Sequence, residues 1–515
     1  MQVQDQSAII AFLSSPEAFA DGTETVERAT THVSELFIGK TRVYKLKRAV
    51  KYPYVDFSTK HLRLKYCEAE VRLNRRTAPD LYLGVKPITF NEDGGYHIGH
   101  AGRVEDWVVE MVRFDQDRLF DRLGEAGQLE RHLMEHLADN IAAFHAHAEA
   151  RQDGGGRAGI AMTIEGNAKA FAENGSGIVD RKKVAALTEL QHADLAEASV
   201  LLENRRMHGC VRHCHGDMHL GNIFLDADGE PVLFDAIEFN EAFATIDVMY
   251  DLAFLLMDLD RRGLGTLATV VMNRYMDITG AAWGLFAMPL FLSLRAAVRS
   301  HVACAQAQSV SEPAFQEARA TEAREYLDMA LAYMEVHQPR LIAVGGLSGS
   351  GKSRAARELA RHVGGAPGAR VVRSDVLRKR IAGVHPLDKL GQQGYSAEMT
   401  EQTYQAVYEE ARAVLATGHS VVADCVFSKP EERAAIEAIA IEMEVPFDGL
   451  WLEAAPEIMQ SRVEARTKNA SDADAEVVKM QLSYDLGDIT WVHIDSSGTR
   501  ETTDAEVLRI LALDD

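Results

Sequence analysis

The chain has 515 residues, of which 47% are apolar and 26% are charged. At roughly 150 residues per domain, this length predicts about three structural units, and the apolar content excludes a disordered, collagen-like or small disulfide-stapled chain. Acidic residues outnumber basic ones 77 to 55, and the net charge of −22 makes nucleic acids and anionic membranes poor partners, because such a surface repels phosphate.

The first part of the chain, residues 31–114, alternates short strands with one charged helix. Residues 36–47 have the pattern strand, turn, strand, and residues 61–76 have the helical spacing of apolar side chains. Residues 106–114 form a β-prone run. A small sheet with one helix is therefore predicted for this part.

The middle part, residues 115–336, is mostly helical. A glycine-rich loop at 153–156 and a strand–loop–strand segment at 213–239 interrupt it. We predict a domain boundary near residue 338, where a helix ends and a new pattern starts. Beyond it, strands alternate with helices, which is typical of a parallel α/β sheet. The predicted strands are 341–344, 370–373, 420–423 and 447–452.

Cysteine usage indicates a reducing compartment. The five cysteines are scattered and odd in number, so we expect no disulfide framework and a cytoplasmic location. Cys210 and Cys214 lie among several histidines, which makes zinc an alternative. Their spacing is not a usual zinc spacing, however, and no second cysteine pair completes four ligands, so we expect no zinc site.

No targeting or membrane segment is predicted. The N-terminus has no basic region before its apolar run, which is typical of mature protein. The longest apolar runs, 252–257 and 283–294, fall short of the about 18 residues that a membrane-spanning helix needs. We therefore expect buried helices and no membrane partner.

Residues 346–353 read Gly-Leu-Ser-Gly-Ser-Gly-Lys-Ser and fit the pattern G-x-x-x-x-G-K-[ST]. An apolar strand precedes them and a helix follows, which is the setting that this phosphate-binding loop requires. Glycines let backbone N–H groups curl around a phosphate, and the helix N-terminus adds partial positive charge. Lys352 can reach the β- and γ-phosphates, and the Ser353 hydroxyl can bind Mg²⁺. The predicted nucleotide-binding residues are Gly346, Ser348, Gly349, Ser350, Gly351, Lys352, Ser353 and Arg354.

Several charged residues are expected around this loop. Asp424 ends a predicted strand and can hold Mg²⁺ or its water, or else cap a helix. Asp375 follows another strand, at the sheet edge where ligands of open α/β sheets bind, and can accept a proton from a substrate hydroxyl, with a helix cap as the alternative. Arg378 can grip an anionic group. Arg462 and Arg466 form either a lid over the transferring phosphate or a solvated charged face.

Residues 340–515 resemble the small P-loop kinases of the gluconate-kinase, polynucleotide-kinase and zeta-toxin type. The resemblance is carried by GLSGSGKS, RSDVLRK, VVADCVF and the arginine pair in QSRVEART. It implies that Asp375 orients or deprotonates the acceptor, and it does not name that acceptor.

A second signal lies at residues 214–225, which read Cys-His-Gly-Asp-Met-His-Leu-Gly-Asn-Ile-Phe-Leu. Asp217 and Asn222 have the spacing of the kinase catalytic loop H-R-D-x-x-x-x-N, and an apolar strand then ends in Asp235. An aspartate orients the hydroxyl nucleophile, while an amide oxygen and a second carboxylate hold Mg²⁺ against the phosphates. We predict these roles for Asp217, Asn222 and Asp235 respectively. A polar turn between two strands is the alternative.

A kinase site also needs a strand lysine on the phosphates and a helical glutamate that pairs with it. Lys45 and Lys47 alternate along one strand and therefore share a face. We favour Lys45 as the phosphate lysine and Glu70 as the glutamate, and Lys47 and Glu68 remain open as alternatives.

Two nucleotide-contacting segments are also expected in this part. Glu110 and Val112 belong to a segment that can join two lobes and contact adenine through its backbone, with a plain buried strand as the alternative. The predicted nucleotide-covering segment, 34–40, has one glycine and not the G-x-G-x-x-G pattern, so the sequence gives it a weaker phosphate grip.

Residues 30–335 resemble the aminoglycoside phosphotransferase family, a branch of the protein-kinase-like fold. The resemblance is carried by HGDMHLGN, LFDAIEF and IDVMYDLAFLL. In this family H-G-D replaces H-R-D, and the glycine of D-F-G is usually absent. Asp247 and Asp251 look like structural helix-start acids. The fusion of both parts resembles bifunctional bacterial proteins with a phosphotransferase-like and a P-loop kinase part, which names folds and does not make aminoglycosides the substrate.

The predicted fold class is therefore α/β and α+β. A two-lobed protein-kinase-like domain occupies 1–338, with a small lobe at about 30–110 and a helical large lobe at about 111–336, and a P-loop parallel-sheet α/β domain follows at 339–515.

We expect an ATP-dependent phosphotransferase with two Mg·nucleotide sites that acts on a small hydroxylated molecule. The alternatives are a single kinase centre regulated by a P-loop ATPase, a polynucleotide-kinase-like activity, and a non-catalytic nucleotide sensor. The negative charge and the lack of a dense Lys/Arg stripe argue against nucleic acid. The intact set of Asp217, Asn222 and Asp235 argues against the sensor. The acceptors, the choice of ATP or GTP, and the oligomeric state stay open.

Overall fold

The computed structural model describes residues 3–52, 54–91, 94–309, 312–386, 388–465 and 471–513. The chain divides into two compact units. One consists of Met1–Ile160 and Val200–Leu255, and the other of Ala161–Ser199 and Leu256–Asp515. The domain boundary predicted near residue 338 stays a prediction, because the second unit also contains helices that come before this residue in the chain. No helix among the described residues has the length and apolarity to cross a membrane.

Among the described residues, the longest strands lie in the first unit, and the strands of the second unit form its parallel sheet. The strands of the first unit are β1 (Glu27–Thr30), β2 (Ser34–Ile38), β3 (Arg42–Lys47), β4 (Lys51–Tyr52), β5 (Val55–Asp56), β6 (Tyr82–Phe90), β7 (Tyr96–Ile98), β8 (Arg103–Val112), β9 (Val211–His213), β10 (Ile223–Leu225), β11 (Pro231–Leu233) and β12 (Thr245–Asp247). Those of the second unit are β13 (Leu341–Gly345), β14 (Arg370–Arg373), β15 (Val421–Asp424), β16 (Phe447–Glu453) and β17 (Val492–Asp495).

Helices make up most of the rest of the described chain. They are α1 (Ser7–Leu13), α2 (Lys60–Asn74), α3 (Phe120–Glu125), α4 (Arg131–His147), α5 (Gly156–Asn174), α6 (Arg181–Met207), α7 (Glu241–Ala244), α8 (Val248–Arg261), α9 (Gly265–Thr279), α10 (Met288–Ser309), α11 (Pro313–Ala332), α12 (Lys352–Ala360), α13 (Ser374–Ile381), α14 (Ala397–Leu415), α15 (Pro430–Glu442), α16 (Pro456–Glu464), α17 (Ala475–Gln481) and α18 (Arg500–Ile510).

The first unit is built on an antiparallel sheet whose strand order, over the described residues, is β1-β2-β3-β8-β6-β7. Alternation along β3 separates its side chains onto two faces. Tyr44 and Leu46 pack in a core with the N-terminal residues Ile9 and Leu13. Val43 packs on the other face, in the core shared with α2. Lys45 and Lys47 have the parity of Val43, so the sheet presents them on the α2 side.

Helix α2 is fixed against the sheet by its cap and by a buried ion pair. The Thr59 side chain accepts a hydrogen bond from the first turn, which supplies an acceptor for an otherwise unpaired N–H group. Arg63 of α2 contacts Asp106 of β8 through two nitrogens, at 2.7 and 2.9 Å, and both side chains are fully buried. The Gln6 side chain donates to the same carboxylate at 2.8 Å. The N-terminal residues therefore complete this lobe.

The second unit contains the parallel sheet that the sequence predicts. Its order is β14-β15-β13-β16-β17, with β13 in the centre. The first four strands in chain order agree with the predicted ones to within one residue at each end. Strand β17 is absent from the prediction, because its sequence Val-His-Ile-Asp is half polar and it is an edge strand with only Ile494 buried.

Helix α9 packs against the edge strand β14 of this sheet. The Asn273 side chain accepts from the Val371 amide at 2.7 Å and donates to the Ala369 carbonyl at 3.1 Å, so it pairs with the strand as a neighbouring strand would. The buried Arg370 contacts Asp277 of α9 at 2.6 Å and Glu410 of α14 at 2.8 Å. An unpaired sheet edge is thereby covered.

Candidate active sites

A cluster of charged side chains lies on the α2 side of the antiparallel sheet. Lys45 Nζ lies 2.7 Å from Glu70 Oε1 and 2.6 Å from Asp235 Oδ1. Glu70 is fully buried, whereas Glu68 is exposed, because the helix turns their side chains to opposite sides. Burial acts to raise the pKa of Glu70, but the charges of Lys45 and Lys47 outweigh it and lower that pKa. The lysine, the glutamate and the strand-end acid of the sequence prediction thus come together.

The segment between β9 and β10 brings Asp217 and Asn222 together. The Asn222 side-chain nitrogen donates to the Asp217 carbonyl at 2.9 Å and to its carboxylate at 3.1 Å. The Asp217 side chain keeps 39% of its surface exposed, so an acceptor can reach it. The buried Asp251 carboxylate accepts from the amides of His215 and Gly216, at 3.0 and 2.9 Å, and holds the loop in place.

Asp235 stands in a strained backbone conformation. Its φ of 62° is in the left-handed region, which costs a residue other than glycine energy and persists where the surroundings enforce it. Here its amide donates to the Tyr82 hydroxyl at 3.2 Å, and the next amide, of Ala236, donates to Asn74 at 2.8 Å. These bonds turn the Asp235 side chain toward Lys45, with 40% of its surface exposed.

The donor atoms of this cluster fit a magnesium ion. The Asn222 amide nitrogen is engaged with Asp217, so its oxygen is the atom for a cation, and the Asp235 carboxylate is accessible. Amide and carboxylate oxygens are the ligands that Mg²⁺ prefers. Bound there, the ion would neutralise charge on the β- and γ-phosphates of a nucleotide.

Glu110 and Val112 both lie in β8, between β3 and β6. Glu110 pairs with Tyr44 on one side and Gly84 on the other, and the Val112 amide donates to the Leu81 carbonyl at 2.9 Å. Both residues are half-buried and lie within a paired strand, and the predicted contact of this segment with adenine stays a prediction. The strand ends at Val112, and the ring of Phe114 beyond it stacks on Phe224 at 4.4 Å.

The segment 34–40 forms β2 and the turn to β3. A side chain at Gly39 would place its Cβ atom 2.4 Å from the Phe19 ring, so this glycine serves close packing. The two amides that follow, of Lys40 and Thr41, donate to the side chains of Thr23 and Asp21, at 2.8 and 2.7 Å. Since the protein itself uses these N–H groups, the turn lacks the free amides of a phosphate loop. The hairpin that precedes it, between β1 and β2, turns at 31–33 without a glycine.

In the second unit, the loop 346–351 leads from β13 into α12. Gly346, Gly349 and Gly351 have φ angles of 139°, 89° and 88°, which other residues rarely adopt. Cβ atoms at Gly346 and Gly349 would lie 2.3 Å and 2.5 Å from backbone oxygens of neighbouring segments. The loop therefore requires its glycines, and it ends with Lys352 in the first turn of α12.

Asp424 ends β15 beside this loop. It is level with Val344 of β13 and Arg373 of β14, and Arg373 Nε lies 3.3 Å from its Oδ2 atom. Among the described residues, the buried Asp424 Oδ1 and Ser350 Oγ have no hydrogen-bond partner. Unpaired buried oxygens are costly, so two of them beside a phosphate-type loop fit a Mg·nucleotide ligand.

The residues predicted to contact the acceptor lie on α13, which starts at the end of β14. Asp375 is half-buried in its first turn, and its carboxylate makes no hydrogen bond to another described residue. The buried Arg378 donates to the Gly394 carbonyl at 2.9 Å, and its guanidinium lies 5.0 Å from the centre of the Tyr395 ring. The negative charge of Asp375 contributes to a raised pKa of Tyr395, whose main cause is burial.

The arginines predicted near the phosphates differ in their contacts. Arg462 donates to the carbonyls of Gly349 and Ser496, at 3.4 and 2.7 Å, so it lies on the loop itself. Burial, with Arg354 and Arg500 nearby, lowers the pKa of Arg462. Arg354 is paired through two nitrogens with Asp504 of α18. Arg466 lies outside the described residues.

Cys214, which the sequence made a candidate zinc ligand, lies in a buried cluster with a histidine and an aspartate. All five cysteines are free, and the buried Cys214 donates to the Ile246 carbonyl at 3.4 Å. Among the described residues, the possible metal ligands that come together are His145, Cys214 and Asp251. The Asp251 carboxylate of this cluster also accepts from the amides of His215 and Gly216.

Two family models match the chain. Residues 57–286 match the phosphotransferase enzyme family, and residues 341–484 match the AAA domain family. Each of these two parts of the chain is thus similar to one family, and the parts are named after their matches, the phosphotransferase domain and the P-loop kinase domain. The matches, together with the parallel sheet, confirm the predicted fold class and the kinase-type enzyme class. Kinases of these families use ATP, generally with Mg²⁺.

Relatives share both domains. A Mycobacterium tuberculosis protein described as uncharacterized is 28% identical over 489 residues, which are 93% of this chain and 94% of that protein. A Mycobacterium bovis protein, also described as uncharacterized, matches to the same extent, 28% over 489 residues.

Solved structures resemble one domain each. A Sinorhizobium meliloti gluconokinase is 22% identical and covers 34% of this chain and 94% of its own, with a TM-score of 0.25. A choline/ethanolamine kinase family protein from Mesorhizobium loti is 11% identical and covers 64% and 98%, with a TM-score of 0.37. A Cryptosporidium parvum choline kinase is 14% identical and covers 63% and 95%, with a TM-score of 0.40.

Sequence reasoning missed several residues of these sites. In the phosphotransferase domain, Glu238 contacts Lys47, and burial raises the pKa of this glutamate. In the second unit, Gln481 of α17 accepts from the amide of Ser348 in the P-loop at 2.7 Å. Asp472 accepts from Lys379 at 3.0 Å and from Tyr395 at 2.8 Å. For Glu238, the spacing from Asp235 is a usable signal, whereas the contacts of Gln481 and Asp472 join segments far apart in sequence.

Proposed function

We propose that the chain is an ATP-dependent phosphotransferase with two Mg·nucleotide centres, each acting on a hydroxyl group of a small molecule. The observation that carries the proposal is the arrangement of Lys45, Glu70 and Asp235 within ion-pair distance, with Asp217 and Asn222 bonded to each other on the loop between β9 and β10. A binding module has no need of a paired catalytic-loop aspartate and asparagine.

In the phosphotransferase domain, Lys45 holds the α- and β-phosphates while Glu70 fixes the lysine. Asn222 and Asp235 would hold Mg²⁺. Asp217 accepts a hydrogen bond from the acceptor hydroxyl and aims its oxygen at the γ-phosphate. Catalysis then consists of positioning and of neutralising charge in a partly buried site, without a covalent intermediate.

In the P-loop kinase domain, backbone amides of 346–353 and the charge of Lys352 take the triphosphate. Ser353 and Asp424 would hold Mg²⁺ or its water. Asp375 orients the acceptor hydroxyl and takes its proton, and Arg462 lies where it can contact the nucleotide. The unpaired Asp424 Oδ1 atom supports this assignment. For Arg466 the role over the phosphate is proposed from sequence alone.

The site also bears on the alternatives. The net charge of −22 and the free cysteines fit a cytoplasmic enzyme with a small-molecule substrate better than one that binds nucleic acid. In the regulatory alternative, the P-loop kinase domain binds or hydrolyses nucleotide without an acceptor of its own. That alternative predicts a single labelled product, which is lost in Asp217→Ala, whereas the two-centre proposal predicts two products.

The test is a screen of hydroxylated metabolites with ATP labelled on the γ-phosphate. Wild type is compared with Asp217→Ala, Asp375→Ala and the double variant. Two independent centres predict two labelled products, each lost in one single variant and both lost in the double variant. Loss of all transfer in either single variant would mean coupled sites. A product that survives in the double variant would refute the proposal.

A further inference from the structure

A second lysine shares the buried glutamate of the phosphotransferase domain. Glu70 uses one carboxylate oxygen for each lysine of β3: Oε1 lies 2.7 Å from Lys45 Nζ, and Oε2 lies 2.7 Å from Lys47 Nζ. Lys47 is the more deeply buried of the two, with 1% of its side chain exposed against 11% for Lys45. It also contacts Glu238. A lysine at this depth needs a reason, because burying a charge without partners is costly.

The outer partners of the two lysines differ. Lys45 reaches Asp235, whose side chain is 40% exposed, whereas Lys47 reaches Glu238, whose side chain is 7% exposed. Lys45 therefore faces the accessible side of the cluster, where a nucleotide enters. Lys47 faces the interior and lies 4.9 Å from the centre of the Phe57 ring. Only Lys45 has a partner that an incoming phosphate and its cation can replace.

The charges of the cluster show what this replacement requires. When Lys45 turns from Asp235 toward a phosphate, it shares its charge between that phosphate and the fully buried Glu70, and a buried carboxylate whose charge is only partly balanced is unfavourable. Lys47 prevents this, because it keeps its own 2.7 Å contact to the other Glu70 oxygen. Glu238 in turn balances the charge of Lys47.

Glu238 also connects this pair to the metal-binding segment. It follows Asp235 by three residues, and each residue from 235 to 238 makes a hydrogen bond. The first three amides donate, in chain order, to the Tyr82 hydroxyl, the Asn74 side chain and the His215 carbonyl, and the Glu238 side chain accepts from Lys47. The Lys47–Glu238 contact is thus the last of four successive contacts that hold the strained turn.

We propose that Lys47 and Glu238 are positioning residues of the phosphotransferase centre: Lys47 is the permanent counter-charge of Glu70, and Glu238 fastens the Asp235 segment to it, so that Lys45 can pass from Asp235 to the nucleotide phosphates. The proposal rests on the proposed function, in which Mg·ATP binds between Lys45 and Asp235. It assigns different roles to Lys45 and Lys47, whereas the sequence left open which of them contacts the phosphates.

The test uses the full-length chain carrying Lys352→Ala, which is expected to reduce transfer at the P-loop centre about 10²-fold, and Mg·ATP labelled on the γ-phosphate as the probe. Initial rates of label release to water or transfer to an acceptor give kcat and the KM for ATP. Lys45→Met is expected to raise the KM about tenfold or more, because it removes a direct phosphate contact. Lys47→Met is expected to lower kcat about tenfold or more with the KM changed less than about threefold. The exposed Lys51→Met, whose side chain is 63% accessible, is the matched control and should leave both constants unchanged.

Two further variants keep the test decisive if Lys47→Met fails to fold. Lys47→Arg retains the charge and should restore kcat to within about threefold of the parent. Glu238→Gln leaves the Lys47–Glu70 pair in place and should lower kcat with little change in the KM. The proposal is overturned if Lys47→Met raises the KM as Lys45→Met does, if Lys47→Arg gives no rescue, or if Glu238→Gln has no effect on kcat. If the parent shows no Mg·ATP turnover that Asp217→Ala abolishes, the proposed function fails instead.

Discussion

The loop that carries Asp217 in the phosphotransferase domain is held by one buried carboxylate, that of Asp251. Its oxygens accept from the amides of Gly216 and His215 at 2.9 and 3.0 Å, and His145 Nε2 lies 3.2 Å away. In Asp251→Asn, one oxygen becomes an NH2 group, which meets a backbone N–H group whichever way the amide turns. One charge-assisted hydrogen bond is lost, about 1.5–3 kcal/mol, and one buried donor loses its acceptor, about 1–3 kcal/mol. The loop should therefore be weakened by about 3 kcal/mol or more, since the two ranges add to about 2.5–6 kcal/mol.

The assay is hydrogen exchange of the full-length chain, followed by mass spectrometry on peptides that cover residues 211–219. A weakening of about 3 kcal/mol corresponds to exchange that is about 10²-fold faster, since about 1.4 kcal/mol is a factor of ten. Asp260→Asn, on the same helix, is the control: Asp260 accepts from the Tyr333 hydroxyl at 2.9 Å, and an asparagine oxygen can still accept it. An increase below about fivefold for Asp251→Asn would refute the reasoning, because one lost charge-assisted bond alone predicts more.

Three further outcomes are expected. Lys352→Ala should reduce phosphoryl transfer at the P-loop centre about 10²-fold, measured with labelled ATP, because the lysine charge that stabilises the transferring phosphate is lost. Burial lowers the pKa of His301 to about 4, so its neutral form stabilises the fold above the unfolded value of about 6.5, and this stability is lost as the pH falls from there toward 4. His301→Gln should therefore make the thermal midpoint less dependent on pH in this range, and an unchanged slope would contradict it. Gly449→Ala places a Cβ atom 2.4 Å from the Trp491 ring and should lower stability by about 1–3 kcal/mol in thermal unfolding, whereas Gly159→Ala, with open space, should not.

The strongest sequence signals were local ones, and they predicted both candidate sites. The P-loop pattern at 346–353 needs its glycines because their backbone angles and close approaches exclude side chains, and this requirement is written into the sequence itself. The alternation along β3 likewise predicted that Lys45 and Lys47 share a face. Apolar runs bounded by turns gave the first four strands of the parallel sheet to within one residue.

The prediction was weaker where the residue type is common or the strand is half polar. Gly39 was expected in a nucleotide-covering segment, but it packs against Phe19, a contact that no local pattern contains. Strand β17 was missed, because an edge strand needs few apolar residues. Glu110 and Val112 lie inside β8, where the backbone pairs on both sides.

The sequence by itself determined the two kinds of module, the phosphate loop and the spacing of Asp217 and Asn222, because each depends on residues close together in the chain. The tertiary structure alone decided which lysine contacts Asp235, that Glu238 joins the buried cluster, and that Asn273 and Asp277 of α9 cover the edge strand β14. These contacts link residues about 90 to 190 positions apart, such as the pair Lys47 and Glu238 with a separation of 191. Which residues become partners depends on how helices and sheets pack, and local sequence propensity does not specify that packing.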